Sequence, residues 1–175
     1  MSAKIPITRP VSIFGVVVLA LIVSIVVFLG IVMGKAFLPE PGLLWGLAAA
    51  VFLIGFYMAF VHLFVLADFN KGLRLLLAEK NLEEATSLFE RFLLLLGRRR
   101  WIDRWRFLVL LSPAAITYRE MSLVNIAYCY AHLGEREKSK AQYEQTLEQF
   151  PDSAIASSAL KMIKTFSQAK NEKVK

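Results

Sequence analysis

Two histidines, one cysteine and 14 carboxylates are the groups in this 175-residue sequence that could carry acid–base, metal or nucleophilic chemistry. Their spacing assembles none of these. Cys129 stands alone, which excludes an intramolecular disulfide and a multi-cysteine metal cluster. On an apolar helix face a lone thiol packs as a small hydrophobe more readily than it reacts. His62 and His132 fall in different parts of the chain and are not expected to share a metal. No glycine-rich phosphate loop, HExxH or GxSxG pattern occurs, so no enzymatic activity, metal or cofactor is expected. What remains is the chemistry of surfaces. Arg98, Arg99, Arg100, Arg104 and Arg106 are interleaved with Trp101 and Trp105. Arg and Trp anchor at lipid headgroup level, guanidinium on phosphate and ring in the interface. Arg98, Arg99, Arg100, Trp101 and Trp105 are therefore candidates for membrane contact. In the alternative reading the arginines are solvated and the tryptophans fill the gap between the two repeated segments on either side of this stretch. Projected at a helical 100° per residue, the charges of this segment do not gather on one face, so a segmental structure is expected in place of an amphipathic helix.

The elements that position these residues are set by hydropathy. The sequence is 57% hydrophobic with a mean hydropathy of +0.53. Its apolar residues are gathered into blocks. Residues 11–33 contain no Asp, Glu, Lys or Arg, and residues 43–67 contain none either, with His62 their one near-neutral titratable group. Each block is long enough to cross a hydrocarbon core of about 30 Å as a helix, the form in which backbone amides pair within their own segment. Residues 34–42, with Pro39, Glu40, Pro41 and Gly42, read as the turn of an antiparallel hairpin. The first block is about twice as long as a signal-peptide core, and no small-x-small cleavage pattern follows Met33, so it is expected to be retained. Lys4 and Arg9 flank one end of the hairpin and Lys71 and Arg74 the other, while the turn holds Lys35 against Glu40. By the positive-inside tendency both termini are expected in the cytoplasm, the setting being a bacterial inner or cytoplasmic membrane.

Small residues recur at four-residue spacing in the blocks: Ala20 with Ser24, Gly30 with Gly34, Gly46 with Ala50, and Gly55 with Ala59. They let helix backbones approach where lipid supplies little drive, and are expected to form the hairpin seam or a surface for a partner. His62 is either a neutral imidazole near the end of the second block or a proton or ligand site, an ionisable group at that depth being costly.

The remainder, 68–175, holds 18 basic and 13 acidic residues and reads as all helix. The second block passes into it without a proline, so one continuous helix is expected there, with Gly72 its weak point. Asn81 and Glu84 have capping-box spacing, Leu82 to Leu96 follow a helical period, and Gly97 suits the left-handed position that ends a helix. Ser112 and Pro113 suggest the next start, with that helix running to Leu133 and Gly134. A partner helix is expected from about 135 to 150, stopped by Pro151, and a last one, capped by Asp152 or Ser153, over 154–169. The final residues, 170–175, form a basic tail. The net charge of +7 could suggest nucleic acid, but the arginine cluster and this tail fit anionic headgroups better, so no nucleic-acid partner is expected.

Leu123, Ile126, Ala127, Tyr130, Gly134, Tyr143 and Pro151, in the run NIAYCYAHLGEREKSKAQYEQTLEQFP, place large, small and aromatic residues as the two helices of a tetratricopeptide repeat do, so residues 120–153 resemble that motif. Ser139 and Thr146 stand where the motif usually has Ala. A weaker copy over 66–98 supplies Leu73, Leu76, Ala85 and Phe89, with Gly72 and Lys80 departing from its pattern. Residues 99–119 form an insertion between the copies. With the hairpin read from hydropathy, the resemblance implies an all-α chain, a transmembrane hairpin followed by a short tetratricopeptide-like solenoid over 68–169 whose last helix caps the open face. It also implies a protein partner, a subunit of a membrane complex, for which this chain is a scaffold, accessory subunit or assembly factor. By analogy and spacing the contact residues are Tyr128, Tyr130 and Arg136 on the repeat and Trp101, Arg104 and Trp105 on the insertion. The competing expectation is a homo-oligomeric transport or sensing protein built on the hairpin and His62.

Overall fold

The structure is a computed structural model and describes residues 11–78 and 81–172, with side chains to residue 165. The expectations for Lys4 and Arg9 in the N-terminal tail 1–10, for Lys80 and for 173–175 lie outside the described residues. Its elements are α-helices: α1 (Ile13–Phe37), α2 (Gly42–Phe60), α3 (Ala67–Leu77), α4 (Leu82–Arg98), α5 (Arg100–Arg104), α6 (Arg106–Val109), α7 (Tyr118–His132), α8 (Arg136–Gln149) and α9 (Ala154–Glu172), with one π-turn at Val61–Val65. They form two compact units. One comprises 11–67 with 100–115, the other 68–99 with 116–172.

In the first unit α1 and α2 are antiparallel and long and apolar enough to cross a membrane, α2 counted through Val65. The turn is shorter than the spacing suggested, Leu38 to Pro41, because α1 continues through Gly34. Gly34 is internal to the helix, where it lets α2 come close. A Cβ on Gly34 would stand 2.7 Å from the Cα of Gly46, and one on Gly30 2.6 Å from the carbonyl oxygen of Gly46. The expected continuous helix out of α2 is interrupted well before Gly72. Val61–Val65 takes a π-turn and Leu66 leaves helical geometry at ψ 9°. Such turns arise where an extra residue is accommodated in the hydrogen-bond ladder.

In the second unit α3 and α4 form one antiparallel pair and α7 and α8 another, α4 packs on α7, and α9 closes the far side of α8. Between α3, α4 and α7 lies an aromatic core. Phe69 meets Phe89, Phe92 and Tyr118 with ring centroids 5.7, 5.4 and 5.1 Å apart. Each Phe is at most 1% exposed, which stabilises the unit by about 1.5–3 kcal/mol per ring. Gly72 sits beneath Phe89, where a Cβ would come within 3.2 Å of the ring. A second cluster of Val124, Ala127, Tyr143, Ala156 and Leu160 joins α7, α8 and α9. Ser139 and Thr146, the two departures from the repeat pattern, are both buried. The Ser139 hydroxyl donates to the Ala127 carbonyl on α7 at 2.8 Å and that of Thr146 to Gln142 at 2.7 Å, so neither is left unpaired.

The caps account for where the helices begin. Asn81, at φ 48°, accepts from the Glu84 amide at 3.2 Å, while the Glu84 carboxylate takes the Asn81 side-chain amide at 2.9 Å. Gly97 does not end α4 but lies inside it, and the helix stops at Arg98. Neither Ser112 nor Pro113 starts α7. Its cap is Thr117, whose hydroxyl accepts from the Glu120 amide at 3.1 Å, and Pro113 lies in an extended segment before it. The interhelical turn after α7 holds Gly134 at φ 80°, a left-handed conformation that glycine adopts without strain. α8 ends ahead of Pro151, and α9 starts after Ser153, whose hydroxyl accepts from the Ala156 amide.

Candidate functional site

Two surfaces collect the residues that the sequence singles out, one on each unit. On the repeat unit the candidates are Tyr128, Tyr130 and Arg136. Tyr128 and Tyr130 are two residues apart on α7 and so point about 200° apart on the helix. Tyr128 stacks on His132, ring centroids 4.2 Å apart. Tyr130 lies at the other side, under the Lys138 ammonium at 5.6 Å, with Lys138 paired to Glu135 at 2.6 Å. Burial raises the Tyr130 phenol, helped by the carboxylate of Glu90, while Lys138 works the other way. Arg136 is exposed at the start of α8. The three therefore form no single patch; Tyr130 and Arg136 stand toward the turn between α7 and α8, and Tyr128 stands apart from them. Cys129, between the two tyrosines, is fully buried, and desolvation pushes its thiol up. That disfavours the thiolate, the reactive form.

The hairpin unit has a more developed construction. Residues 100–115 return to the end of the hairpin that carries the start of α1. The Ser12 amide donates to the Pro113 carbonyl at 2.8 Å, and Val11 and Ala114 form an antiparallel bridge. The Tyr57 hydroxyl, on α2, donates to the Val109 carbonyl at 2.7 Å, and Phe14 meets Phe107 edge to face at 5.7 Å. Gly15 is buried beneath Phe107, where the ring would collide with any Cβ. Leu111, at φ 44°, makes the sharp bend that lets the strap return along Val11 and Ser12. The charges of this segment, not expected to share a face, divide by function. Arg106 is internal: its Nε and Nη2 donate to the carbonyls of Ala114 and Ala115 at 3.1 Å, and its guanidinium lies 4.5 Å over Phe107. Ile102 and Asp103 turn inward at 5% and 9% exposure, whereas Arg100, Trp101, Arg104 and Trp105 turn outward. Breaking the segment into α5 and α6 produces this sorting, which a single helical projection over its whole length averages away. Arg98 and Arg99 lie on the other unit, exposed at the end of α4.

Of the small residues, Gly30, Gly34, Gly46 and Ala50 lie between α1 and α2, joined by Gly42, which the four-residue spacing did not single out. Ala20, Ser24, Gly55 and Ala59 are exposed away from that seam, and nothing lies within 4 Å of where a Gly55 Cβ would be. His62 sits in the π-turn with its side chain exposed. Among the described residues no three His, Cys, Asp or Glu side chains gather as a metal site would require.

No curated protein and no solved structure matches this chain. Residues 121–153, which are most of α7, all of α8 and the turn into α9, match the tetratricopeptide repeat family. Repeats of that family mediate binding to other proteins, and here one such stretch is set in an all-helical, solenoid-like arrangement of the described residues.

Proposed function

We propose that the protein is a membrane-anchored interaction scaffold, an accessory subunit or assembly factor of a membrane complex, whose hairpin spans the bilayer with both ends in the cytoplasm. The observation that carries this reading is the combination, in one short chain, of a repeat match at 121–153 with two helices of 25 and 24 residues apolar enough to span. Lys71 and Arg74 after the second span agree with that orientation. Exposure supports insertion: Phe28, Phe52 and Phe56 are 65%, 69% and 64% exposed, an arrangement costly in water and favourable in hydrocarbon. The repeat surface supplies Tyr128 on one side of α7, and Tyr130 with Arg136 on the other, as docking groups for a protein partner. Two repeat pairs with α9 as a cap form a short array, which favours one dedicated partner over a general peptide receptor.

Purification of the native chain in mild detergent, followed by mass spectrometry of what accompanies it, tests this reading. A stoichiometric membrane complex is expected. Recovery of the chain alone as a discrete homo-oligomer, with an activity lost on His62→Ala, would replace the scaffold by the transport or sensing alternative.

A further inference from the structure

We infer that the outward face of α5, Arg100 and Arg104 with Trp101 and the adjoining Trp105, is a binding surface for anionic phospholipid headgroups, seated at the end of the hairpin that carries residues 11–15. It rests on the reading of the hairpin as a membrane anchor.

Three observations lead there. The first is sorting. On α5 the two cations and the two rings occupy one arc of about 140°, at 52% and 55% exposure for Trp101 and Trp105, while Ile102 and Asp103 fill the inward side. The second is availability. Among the described residues no side-chain hydrogen bond or ion pair is found for Arg100 or Arg104, whereas Arg106 in the same segment is committed to two carbonyls and a ring. Cations spaced one helical turn apart beside indole rings match phosphate groups above an interfacial aromatic layer. The third is place. The segment is held to the hairpin at Ser12, Val11, Phe14 and Tyr57, so the cationic face is continuous with apolar surface. Val11, Ile13 and Phe14 are 61%, 84% and 67% exposed, and Leu108 46%. Apolar, then aromatic, then cationic is the gradient that a bilayer presents from its core to its headgroups. An acidic protein would satisfy the arginines but not the apolar surface that runs from them into the span.

The full chain reconstituted in lipid nanodiscs provides the test, with its own tryptophans as probes. Trp45, at the start of α2 and so at the turn end of the hairpin, is 58% exposed and serves as the internal control for insertion. In a Trp45→Phe chain, emission from Trp101 and Trp105 is expected to be quenched by phosphatidylcholine brominated on its chains. Quenching should rise when phosphatidylglycerol replaces part of the phosphatidylcholine, and the rise should disappear at high salt and in Arg100→Gln with Arg104→Gln. Emission that responds to an aqueous quencher but to neither bromolipid nor phosphatidylglycerol, while Trp45 in a Trp101→Phe, Trp105→Phe chain is still quenched by bromolipid, would overturn the headgroup surface and leave the anchor standing. Bromolipid quenching of Trp101 and Trp105 that is the same in both lipid mixtures would place the rings in the interface but remove the anionic specificity, and would overturn the inference as stated. Failure of bromolipid to reach Trp45 as well would overturn the anchor itself.

Discussion

The two units solve one packing problem in opposite ways. Between α1 and α2 the contact is made by Gly30, Gly34, Gly42, Gly46 and Ala50, and the large side chains, Phe28 and Phe52 among them, point away. Among α3, α4 and α7 the contact is made by Phe69, Phe89, Phe92 and Tyr118, and the charged residues point away, Lys71 pairing with Glu84 and Arg91 with Asp68 across the α3–α4 surface. In water, association is driven by the apolar area it removes from solvent, so the largest side chains belong inside. In hydrocarbon that drive is absent, and close backbone approach with van der Waals contact is what remains. The large residues inside the repeat unit suit water, and the small ones between α1 and α2 would suit the hydrocarbon of the proposed anchor.

Substitutions that exchange large for small residues at these contacts should affect the two units differently. Phe89→Ala should have the largest effect, a loss of about 3–5 kcal/mol confined to the repeat unit, read as lower resistance of its helices to denaturant while Trp45 emission is unchanged. The next effect comes from pH. Burial pushes the Tyr143 phenol up to about 12, so the folded state holds that proton more tightly than the unfolded chain. Its contribution is complete below about pH 10 and is lost as pH rises toward 12, on the order of 2–3 kcal/mol in urea unfolding series, a slope that Tyr143→Phe should remove. Gly34→Leu should follow, at about 1–3 kcal/mol, because the seam has no room for a side chain, and should lower the thermal stability of the hairpin in detergent. Gly55→Leu, equally apolar but facing open space, should stay within about 0.5 kcal/mol. If the two leucines cost the same, the backbone contact between α1 and α2 is not what holds the hairpin.

The all-helical class and the repeat at 120–153 were legible because both rest on patterns that extend over many residues: blocks of apolar side chains, and large and small residues recurring at fixed offsets. What escaped was local or relational. Ser112 and Pro113 offer a start signal for α7, yet the cap is Thr117, which with Glu120 has the same capping-box spacing as Asn81 and Glu84. Pro113 is spent instead in the extended segment beside Ser12, a contact between residues about 100 apart that no local rule contains. Likewise nothing in periodicity marks a π-turn at Val61–Val65, since the residues there are as apolar as those before them. The outward grouping of Arg100, Trp101, Arg104 and Trp105 emerges only once Ile102 is known to be buried. Tyr128 and Tyr130 are neighbours in sequence, but a helix turns them to opposite sides.

The return of residues 100–115 to the hairpin has a consequence for how the chain is made and divided. The chain passes from one unit to the other after residues 67, 99 and 115, so neither unit is a single stretch of polypeptide. During synthesis α1 and α2 emerge first, and the 100–115 segment that packs on them is not available until α3 and α4 have also been made. A fragment beginning at residue 68, the natural choice for a water-soluble piece, would carry the strap without Ser12, Phe14 and Tyr57 to receive it. Its Leu110, Leu111 and Ala114, buried in the full chain, would then face solvent. Such a fragment is expected to aggregate, and deletion of 100–115 with a short polar bridge between α4 and α7 is expected to restore its solubility.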